Sequence, residues 1–473
     1  MRDQRAEVSL NIAPDERLES SPVDPGDFRI LVLGDFSGRG DGSPVTSGSP
    51  QRIDRDDLDI HLSRIAPRLR VSIGDVPVDL AFASMDDFHP DRLIARLAAL
   101  DLQPSTFDTT TTTPDQIEPN NAAPSPDLSR AVSGASLLDD MLDDVVPAQR
   151  RSDELSAFVE RAVAPHVIRP PDRETVARAE AKQRDSVRLL RQILHHPRVQ
   201  ALEATWRAME LLVRRLDTDG ELHLFLLDVG RDQLASAVER LARQREAVDA
   251  ESWALAIALH EFSEGDAGAD ALARVAMAAR ELGTPLVAGA PPSFAGRASA
   301  VQLDDDSPAA PSPEVYSLIR RSLEARFLGL TIPRVLLRSP YGRDNPCETI
   351  EFEELDDPER HDDYLWGSGA VLVALLVGEA FNERGWAIGS RMALDVSSLP
   401  FFTYRRGPET VAVSCSETIM AERVARQLLS RGLMPLAWIK NTDRVRLVEL
   451  RSVADPTAPL AASWAGATSG SSV

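Results

Sequence analysis

The stretch ILHHPRVQALEATWRAMELLVRRLD, at residues 193–217, constrains the fold more than any other part of the chain. Pro197 fixes its own φ and lacks an amide hydrogen, so it ends the preceding amphipathic run. After it, apolar residues recur at steps of three and four, at Val199, Leu202, Trp206, Met209, Val213 and Leu216. This period places all of them on one face of a helix. We predict core anchors at Leu202, Trp206 and Met209, of which Trp206 is the largest.

The residues that come after this helix predict an α/β fold. After Gly220 the pattern changes to LHLFLLDV, a nearly continuous apolar run that is typical of a strand buried on both faces. Further apolar runs at 253–262 and 284–290 alternate with helical patterns of roughly 10 to 15 residues, which is the βαβ pattern. The run GAVLVALLVG is shorter than the roughly 20 residues that cross a bilayer, so we predict a buried helix. We interpret YLWGSGA, just before it, as the start of that helix, and its Trp366 as a fourth core anchor.

Changes in composition divide the chain into segments. The clearest boundary contains a run of five threonines among scattered Pro, Asn and Asp, with almost no large apolar residues. The predicted segments are a disordered arm (1–27), a small α/β domain (28–101), a disordered linker (102–130), a helical docking segment (131–166), a larger α/β body (167–395), a smaller α+β unit (396–455) and a disordered tail (456–473).

The charge and the cysteine content exclude several classes of protein. The formal net charge is −22, from 52 basic and 74 acidic residues, whereas nucleic acids and anionic membranes require a basic surface. Only Cys347 and Cys415 occur, which excludes a disulfide framework and favours a reducing cytoplasm. The N-terminal residues lack the apolar core of a secretory signal. We therefore expect a cytoplasmic protein without nucleic-acid partners and without membrane insertion.

No motif in the sequence predicts a catalytic, cofactor or metal site. His195 and His196 are adjacent and so point about 100° apart on a helix, whereas zinc ligands on a helix need a spacing of three or four. The glycines of LGDFSGRGDGS fit neither GxxxxGK[ST] nor GxGxxG. Neither Cys347 nor Cys415 has an identifiable base nearby in sequence. The prediction is no catalytic residue, no cofactor and no metal.

Several sequence blocks, in the same order, carry a family resemblance. The stretch ILHHPRVQALEATWRAMELLV resembles the signature of the large sheath subunit of bacterial type VI secretion systems. Further blocks of that kind come later, namely FLGLTIPRVLLRSPYG (327–342), FEE (352–354), YLWGSGA (364–370) and AFNERGWAIGS (380–390). FRILVLGDFSGRG, RIDRDDLDIHLSRIAPRLRVSI and VDLAFASMDDFHPDRL resemble the small sheath subunit. The chain thus resembles a small and a large sheath subunit fused in one polypeptide.

The resemblance implies a structural protein rather than an enzyme. It implies self-assembly around a needle tube, contraction energy stored in subunit packing, and contacts with needle-tube protein, baseplate components and a disassembly ATPase. In the resembled large subunit an early helix is recognised by that ATPase, and the match here is SLLDDMLDDVV, with Leu137, Leu138, Met141 and Leu142. The alternative for this segment is a helix packed on its own domain.

Charged residues around PRVLLRSPYG are candidates for a junction. Arg334, Arg338 and Arg343 flank this turn, and Glu353 and Glu354 belong to the acidic segment that comes next. Arginine suits buried pairing with carboxylates because its guanidinium presents several donors in a fixed plane. We predict that these residues pair within the chain or at a subunit interface.

The sequence leaves two other hypotheses open. Compared with the resembled family, the small-subunit part is shortened after residue 101 and the large-subunit part ends near residue 455. This favours, as the alternative to a full sheath, a non-polymerising adaptor or cap. A less favoured alternative is a soluble α/β hydrolase, which would require the fold to bring Cys347, His361 and a carboxylate together.

Overall fold

The computed structural model describes residues 26–40, 48–74, 76–99, 173–245, 252–262, 265–304, 309–388 and 392–465. By its contacts the chain divides into one unit of Met1–Leu102 with Val187–Val473 and a second unit of Gln103–Ser186. The predicted linker 102–130 and the docking segment 131–166 lie outside the described residues, together with Leu137, Leu138, Met141 and Leu142. Nearly all of the described helices and strands belong to the first unit.

Strands and helices alternate through most of the described residues. The strands are β1 (Phe28–Gly34), β2 (Gln51–Ile53), β3 (Arg68–Ile73), β4 (Val76–Ala81), β5 (Leu222–Asp228), β6 (Leu255–Glu261), β7 (Leu286–Gly289), β8 (Leu328–Ile332), β9 (Val335–Arg338), β10 (Leu365–Gly367), β11 (Asp395–Val396), β12 (Phe402–Arg406), β13 (Glu409–Val413), β14 (Met434–Trp438) and β15 (Val445–Leu447). The helices are α1 (Leu58–Ile65), α2 (Pro90–Ala99), α3 (Arg173–Leu194), α4 (Pro197–Arg215), α5 (Leu234–Arg245), α6 (Gly265–Leu282), α7 (Glu314–Arg320), α8 (Ala370–Arg384) and α9 (Glu422–Ser430).

One nine-stranded sheet organises the first unit, in the order β11-β15-β14-β8-β7-β6-β1-β5-β2. The six strands from β14 to β5 run parallel to their neighbours, while β2, β15 and β11 pair antiparallel at the two edges. Parallel sheets need cover on both faces, which explains the continuous apolar runs in the sequence. The predicted α/β fold is confirmed.

Strand β1 lies inside this sheet, between β5 and β6. It pairs with β5 along its whole length, from Phe28 opposite Leu222 to Gly34 opposite Asp228. On its other side Ile30 lies opposite Leu255, at the start of its pairing with β6. The predicted small domain 28–101 therefore has no sheet of its own around β1, although β3 and β4 form the expected hairpin. The physical reason is that β1 is apolar on both faces and needs an interior position.

Helices cover both faces of the sheet. On one face a single apolar core is shared by β1, β6, β7 and β8 with residues of α5, α6 and α7. On the other face α8 contacts β1, β5, β6 and β7, and α4 contacts α8. Gly378 allows α8 to pack closely against the end of α4, because a Cβ at this position would lie 2.7 Å from a methyl of Leu216. Within the described residues, no helix has the length and apolar content needed to cross a membrane.

Helix α4 has the limits and the buried face that the sequence pattern predicts. It begins with Pro197 in its first turn, and the His196 side chain accepts a hydrogen bond from the Arg198 amide, which caps the helix. The apolar stripe is buried, and the exposed fraction is 0% for Trp206 and Met209 and 1% for Leu202.

Trp366 is also buried, but it does not lie in a helix. It belongs to β10 and pairs with Leu336 of β9. YLWGSGA therefore forms a strand followed by a turn, and α8 begins only at Ala370. Two of the seven residues are glycines, which weaken a helix, and Tyr and Trp favour strands.

The C-terminal elements extend the central sheet. Strand β14 adds parallel to β8, and β15 and β11 come next, so the segment 396–455 shares its main sheet with the body. Part of the predicted disordered tail is ordered, as Leu460 and Trp464 are each 3% exposed. The Trp464 indole N–H donates to the Ala254 carbonyl at 2.8 Å. Two large apolar side chains thus anchor a segment that its Ala/Ser/Thr-rich composition alone favours as disordered.

The packing of Trp206 generates a prediction for stability. Its indole N–H donates to the Phe36 carbonyl at 2.9 Å, and the two rings meet edge to face with centroids 5.0 Å apart. Replacing Trp206 with Ala removes a fully buried side chain and leaves a cavity, which should lower the free energy of unfolding by about 3 to 5 kcal/mol.

Urea denaturation of the purified chain measures this change. Ile60→Ala is the matched control, because Ile60 is 56% exposed and its truncation should change stability little. Equal midpoints for Trp206→Ala and Ile60→Ala would contradict the assignment of Trp206 to the core.

Candidate functional site

A buried ionic cluster joins α4, β9 and the acidic segment after β9. Arg338, the last residue of β9, donates through Nε to Glu203 Oε1 at 2.7 Å. Its two Nη atoms donate to the two carboxylate oxygens of Glu354 at 2.7 and 2.9 Å. Arg338 is 8% exposed, and Glu203 and Glu354 are 0% and 2% exposed. We call Glu203, Arg338 and Glu354 the buried charge cluster.

The two carboxylates of this cluster stabilise the charged form of Arg338. Burial alone would lower the pKa of Arg338, but Glu203 and Glu354 outweigh that effect and hold the pKa well above its usual range. The Tyr341 amide also donates to Glu354 Oε2 at 2.7 Å, and the guanidinium of Arg338 lies 4.2 Å from the centre of the Tyr341 ring. Glu354 thus accepts three hydrogen bonds, and the cluster holds α4, β9 and the acidic segment together.

Helix α4 extends the cluster towards its C-terminal end. Arg207 lies 3.4 Å from Glu203 and donates to Glu210 at 2.9 Å, and Arg214 lies 2.6 Å from Glu210. These residues recur at steps of three and four, so they share one face of α4 beside the apolar stripe. Since one end of this row is buried and Arg214 is exposed, the row connects the buried charge cluster to the protein surface.

A second ionic group surrounds Arg334, at the turn between β8 and β9. Arg334 donates through Nε to Glu417 at 3.0 Å and through Nη1 to Glu261 at 2.9 Å. His361 lies 3.3 Å from the same Glu417 carboxylate and stacks on Trp366. Glu261 ends β6 and Glu417 comes after the β13 strand, so this group also ties distant parts of the chain together.

His195 lies between two carboxylates at the end of α3. Its Nδ1 is 3.4 Å from Asp363 and its Nε2 is 3.8 Å from Glu354. Burial lowers the pKa of His195, and the two carboxylates only partly oppose this. The ring is therefore neutral at pH 7 and fills space at the junction.

The five residues predicted as a possible subunit interface have different environments in the structure. Arg338 and Glu354 pair inside the chain and are buried, so neither is available to a neighbouring subunit. Arg334 is half-buried, and its paired carboxylates also belong to this chain. Arg343 and Glu353 have exposed side chains. Of the five residues, these last two are the ones that a second subunit can reach most easily.

The residues proposed for a hydrolase do not come together. The Cys347 thiol lies near His89 and Asp91, whereas His361 pairs with Glu417. Burial, together with the charges of Asp91 and Glu354, raises the pKa of Cys347 to about 11, so the thiol stays protonated and is a poor nucleophile. Cys415 is buried, its pKa is raised to about 12, and its thiol donates to a backbone carbonyl.

A cavity of about 600 Å³ lies at the carboxyl ends of β1 and β6, a common position for ligands in α/β proteins. Two charged side chains of its lining are bonded to the protein backbone. Arg198 donates to the carbonyls of Gly38 and Arg70, each at 3.0 Å. Asp35 accepts from the amides of Arg39 and Gly40. These groups close the loop after β1, and none of these bonds is directed at a ligand.

The fold is α/β, and the ionic groups described above connect segments of the chain to one another. Comparison with known families identifies the class. Residues 183–454 match the VipB family (EvpB, tail sheath N-terminal domain), and residues 2–102 match the VipA family of the type VI secretion system. The first match covers more than half of the chain, and the chain therefore belongs to the type VI secretion sheath proteins.

A curated relative supports the same family. The type VI secretion system sheath protein TssC1 of Pseudomonas aeruginosa is 25% identical over 357 residues, which cover 68% of this chain and 70% of the relative. The family is one of structural sheath proteins and is not known for enzymatic activity.

Sequence reasoning missed Glu203 as the partner of Arg338. Glu203 lies directly after Leu202 of the apolar stripe. Its position in the sequence could have identified it. A carboxylate next to the middle of a buried apolar stripe, with an arginine four residues later, is expected at the edge of the core.

The buried charge cluster predicts a large cost for removing its cation. Arg338→Leu removes the cation shared by the buried carboxylates of Glu203 and Glu354, which should cost about 3 to 5 kcal/mol of stability. Urea denaturation at neutral pH measures it.

The matched control is Arg446→Leu, because Arg446 pairs with Asp395 through two hydrogen bonds of similar length but is exposed. That substitution should shift the midpoint little, since water screens the pair. Equal shifts for the two variants would show that burial does not set the strength of the Arg338 pairing.

His195 predicts a pH dependence of stability. Its pKa is lower in the folded chain than the ordinary 6.5, so below that value the unfolded chain binds more protons than the folded chain does. Stability should therefore fall as the pH drops from about 7.5 to about 5.5. In His195→Gln the stability should fall less over this pH range. Urea midpoints of both proteins, measured at several pH values between about 7.5 and about 5.5, test this. An identical slope in both proteins would exclude His195 as a source of the dependence.

Proposed function

We propose that this chain is a structural subunit of a type VI secretion contractile sheath. In this proposal it assembles with copies of itself around the needle tube and stores contraction energy in subunit packing, in the cytoplasm and without catalysing a reaction. The observation that carries the proposal is the combination of both sheath families in one chain, with β1 of the VipA-matched part inside the sheet of the VipB-matched part. A single polypeptide thereby brings together elements of both families.

Helical assembly needs a contact between two different surfaces of the same subunit. A contact whose rotation does not close into a ring generates a filament. The sheet ends in β2 on one side and β11 on the other, and strands at the edges of a sheet can pair with a neighbouring chain. These two edges, together with exposed apolar side chains, are the proposed sources of subunit contacts.

One group of exposed apolar residues supports such a contact. Leu318 and Leu323 are 60% and 68% exposed, and Met277 is 55% exposed. They lie on or beside α7, α6 and the short 3-10 turn Glu324–Phe327, three elements that contact one another. Large apolar side chains exposed on neighbouring elements are typical of surfaces that another protein covers.

The further partners of the proposed sheath subunit are needle-tube protein, baseplate components and a disassembly ATPase. The segment with Leu137, Leu138, Met141 and Leu142 is the proposed contact for the ATPase. The exposed Arg343 and Glu353 are proposed for contacts between subunits. The acidic net charge makes nucleic acid and anionic lipid unsuitable partners in this proposal.

The purified full-length chain should form tubes or rings visible by negative-stain electron microscopy, with light scattering that rises with protein concentration. The double variant Leu318→Glu/Leu323→Glu should fold and lose these assemblies, because it places two charges in a proposed subunit contact. Ile60→Glu, at another exposed apolar residue, is the control that should still assemble.

A monodisperse monomer at every concentration would contradict self-sufficient assembly. It would favour the second candidate, a non-polymerising adaptor or cap protein of the secretion machine. The observation that favours this candidate is the length of the edge strands, which is three residues for β2 and two for β11. Short edge strands limit pairing with another chain.

A further inference from the structure

Three potential metal ligands meet where the N-terminal part contacts the segment after β9. Each of His89, Asp91 and Cys347 offers one ligand atom, and these atoms lie within 4.8 Å of one another. All three residues are half-buried. These three residues are not members of the buried charge cluster, and neither the proposed function nor the sheath-family matches assign them a role.

The first two ligands flank the start of α2. His89 and Asp91 lie on either side of Pro90, and His89 Nδ1 is 3.3 Å from Asp91 Oδ2. Two ligands of one tetrahedral zinc ion lie roughly 3.3 Å apart when both bonds are about 2.0 Å long. The Asp91 amide also donates to His89 Nδ1 at 3.3 Å. A bound ion would replace this long hydrogen bond.

The third ligand is carried by a loop that is already fixed to Asp91. The amides of Glu348 and Thr349 each donate to the Asp91 carboxylate at 2.9 Å, and the Thr349 hydroxyl also hydrogen bonds to it. These bonds hold the neighbouring Cys347 beside the His89–Asp91 pair. Sulfur and nitrogen ligands of one zinc ion lie roughly 3.5 Å apart, and the three ligand atoms here already lie within 4.8 Å of one another.

We propose that His89, Asp91 and Cys347 form a zinc site, with water as the fourth ligand. A set of one imidazole, one carboxylate and one thiolate suits zinc, which is borderline soft and binds nitrogen, oxygen and sulfur. Hydrogen bonds to a ligating carboxylate are the usual support of a metal ligand, and Asp91 has three. His89 is held by Tyr341, whose ring meets it edge-on with centroids 4.8 Å apart.

The local charge favours a cation at this position. The Asp91 carboxylate lies within 4.8 Å of the Cys347 thiol, and its negative charge disfavours the thiolate. A bound divalent ion reverses that effect, because it stabilises the thiolate that coordinates it. One proton leaves the thiol when the Zn–S bond forms.

The zinc site would link two parts of the chain that match different families. His89 and Asp91 belong to the VipA-matched residues 2–102, and Cys347 belongs to the VipB-matched residues 183–454. Zinc bound only by the folded chain stabilises it by mass action. The site would therefore strengthen the attachment of the N-terminal part, independently of whether the chain assembles into a sheath.

The test uses the metal-free full-length chain titrated with Zn²⁺ and, separately, with Co²⁺. Calorimetry should give one equivalent of tightly bound zinc, and the Co²⁺ complex should show a thiolate-to-cobalt charge-transfer band. Cys347→Ser and Asp91→Asn should weaken zinc binding at least tenfold, and Cys347→Ser should also remove the band. Cys415→Ser, at the other thiol, is the control that should change neither result.

The proposal would be overturned if one equivalent of Zn²⁺ fails to bind, if the Co²⁺ complex has no thiolate band, or if Cys347→Ser binds zinc as tightly as the original chain. Far-UV circular dichroism checks that each variant folds. Should a variant fail to fold, the thiolate band of the unmodified chain and its persistence in Cys415→Ser decide the question, because Cys347 is then the thiol that remains.

Discussion

The parallel pairing of β1 with β5 and β6 is the constraint on which the rest of the described structure depends. Without β1, two long strands would face each other across a gap with unpaired amides and carbonyls in the core, which a folded protein does not tolerate. Trp206 adds a second attachment, because it packs on Phe36 and hydrogen bonds to its carbonyl just after β1. The N-terminal part therefore contributes an interior strand to the main sheet, although it matches a different family model.

Buried charges give these joints their specificity. Arg338 satisfies two buried carboxylates from distant parts of the sequence, and Arg334 pairs with the buried Glu417 and the exposed Glu261. Such pairs gain little net stability, because the desolvation of the charges offsets their attraction. Removing one partner is costly, however, so only one arrangement of α4, β9 and the acidic segment keeps every charge paired.

The sequence predicted those features that depend on local patterns. The limits of α4, its buried face and the α/β alternation all result from apolar periodicity within short windows. The position of β1 could not be predicted in this way, because its partners β5 and β6 lie far along the chain. Strands β3 and β4, from the same N-terminal part, form a separate hairpin. The burial of Leu460 and Trp464 could not be predicted, because the small residues around them are typical of a disordered segment. The cluster of His89, Asp91 and Cys347 was missed for the same reason as β1, since chain spacing gives no sign of a contact formed by tertiary folding.

Amide hydrogen exchange of the full-length chain, resolved to individual segments, tests most directly whether the two family-matched parts form one cooperative unit. If β1 is an interior strand, its amides should exchange as slowly as those of β6, because both open only when the sheet unfolds. Rapid exchange along β1 while β6 stays protected would show that the N-terminal part detaches on its own. That result would contradict the account of a single sheet built from both parts.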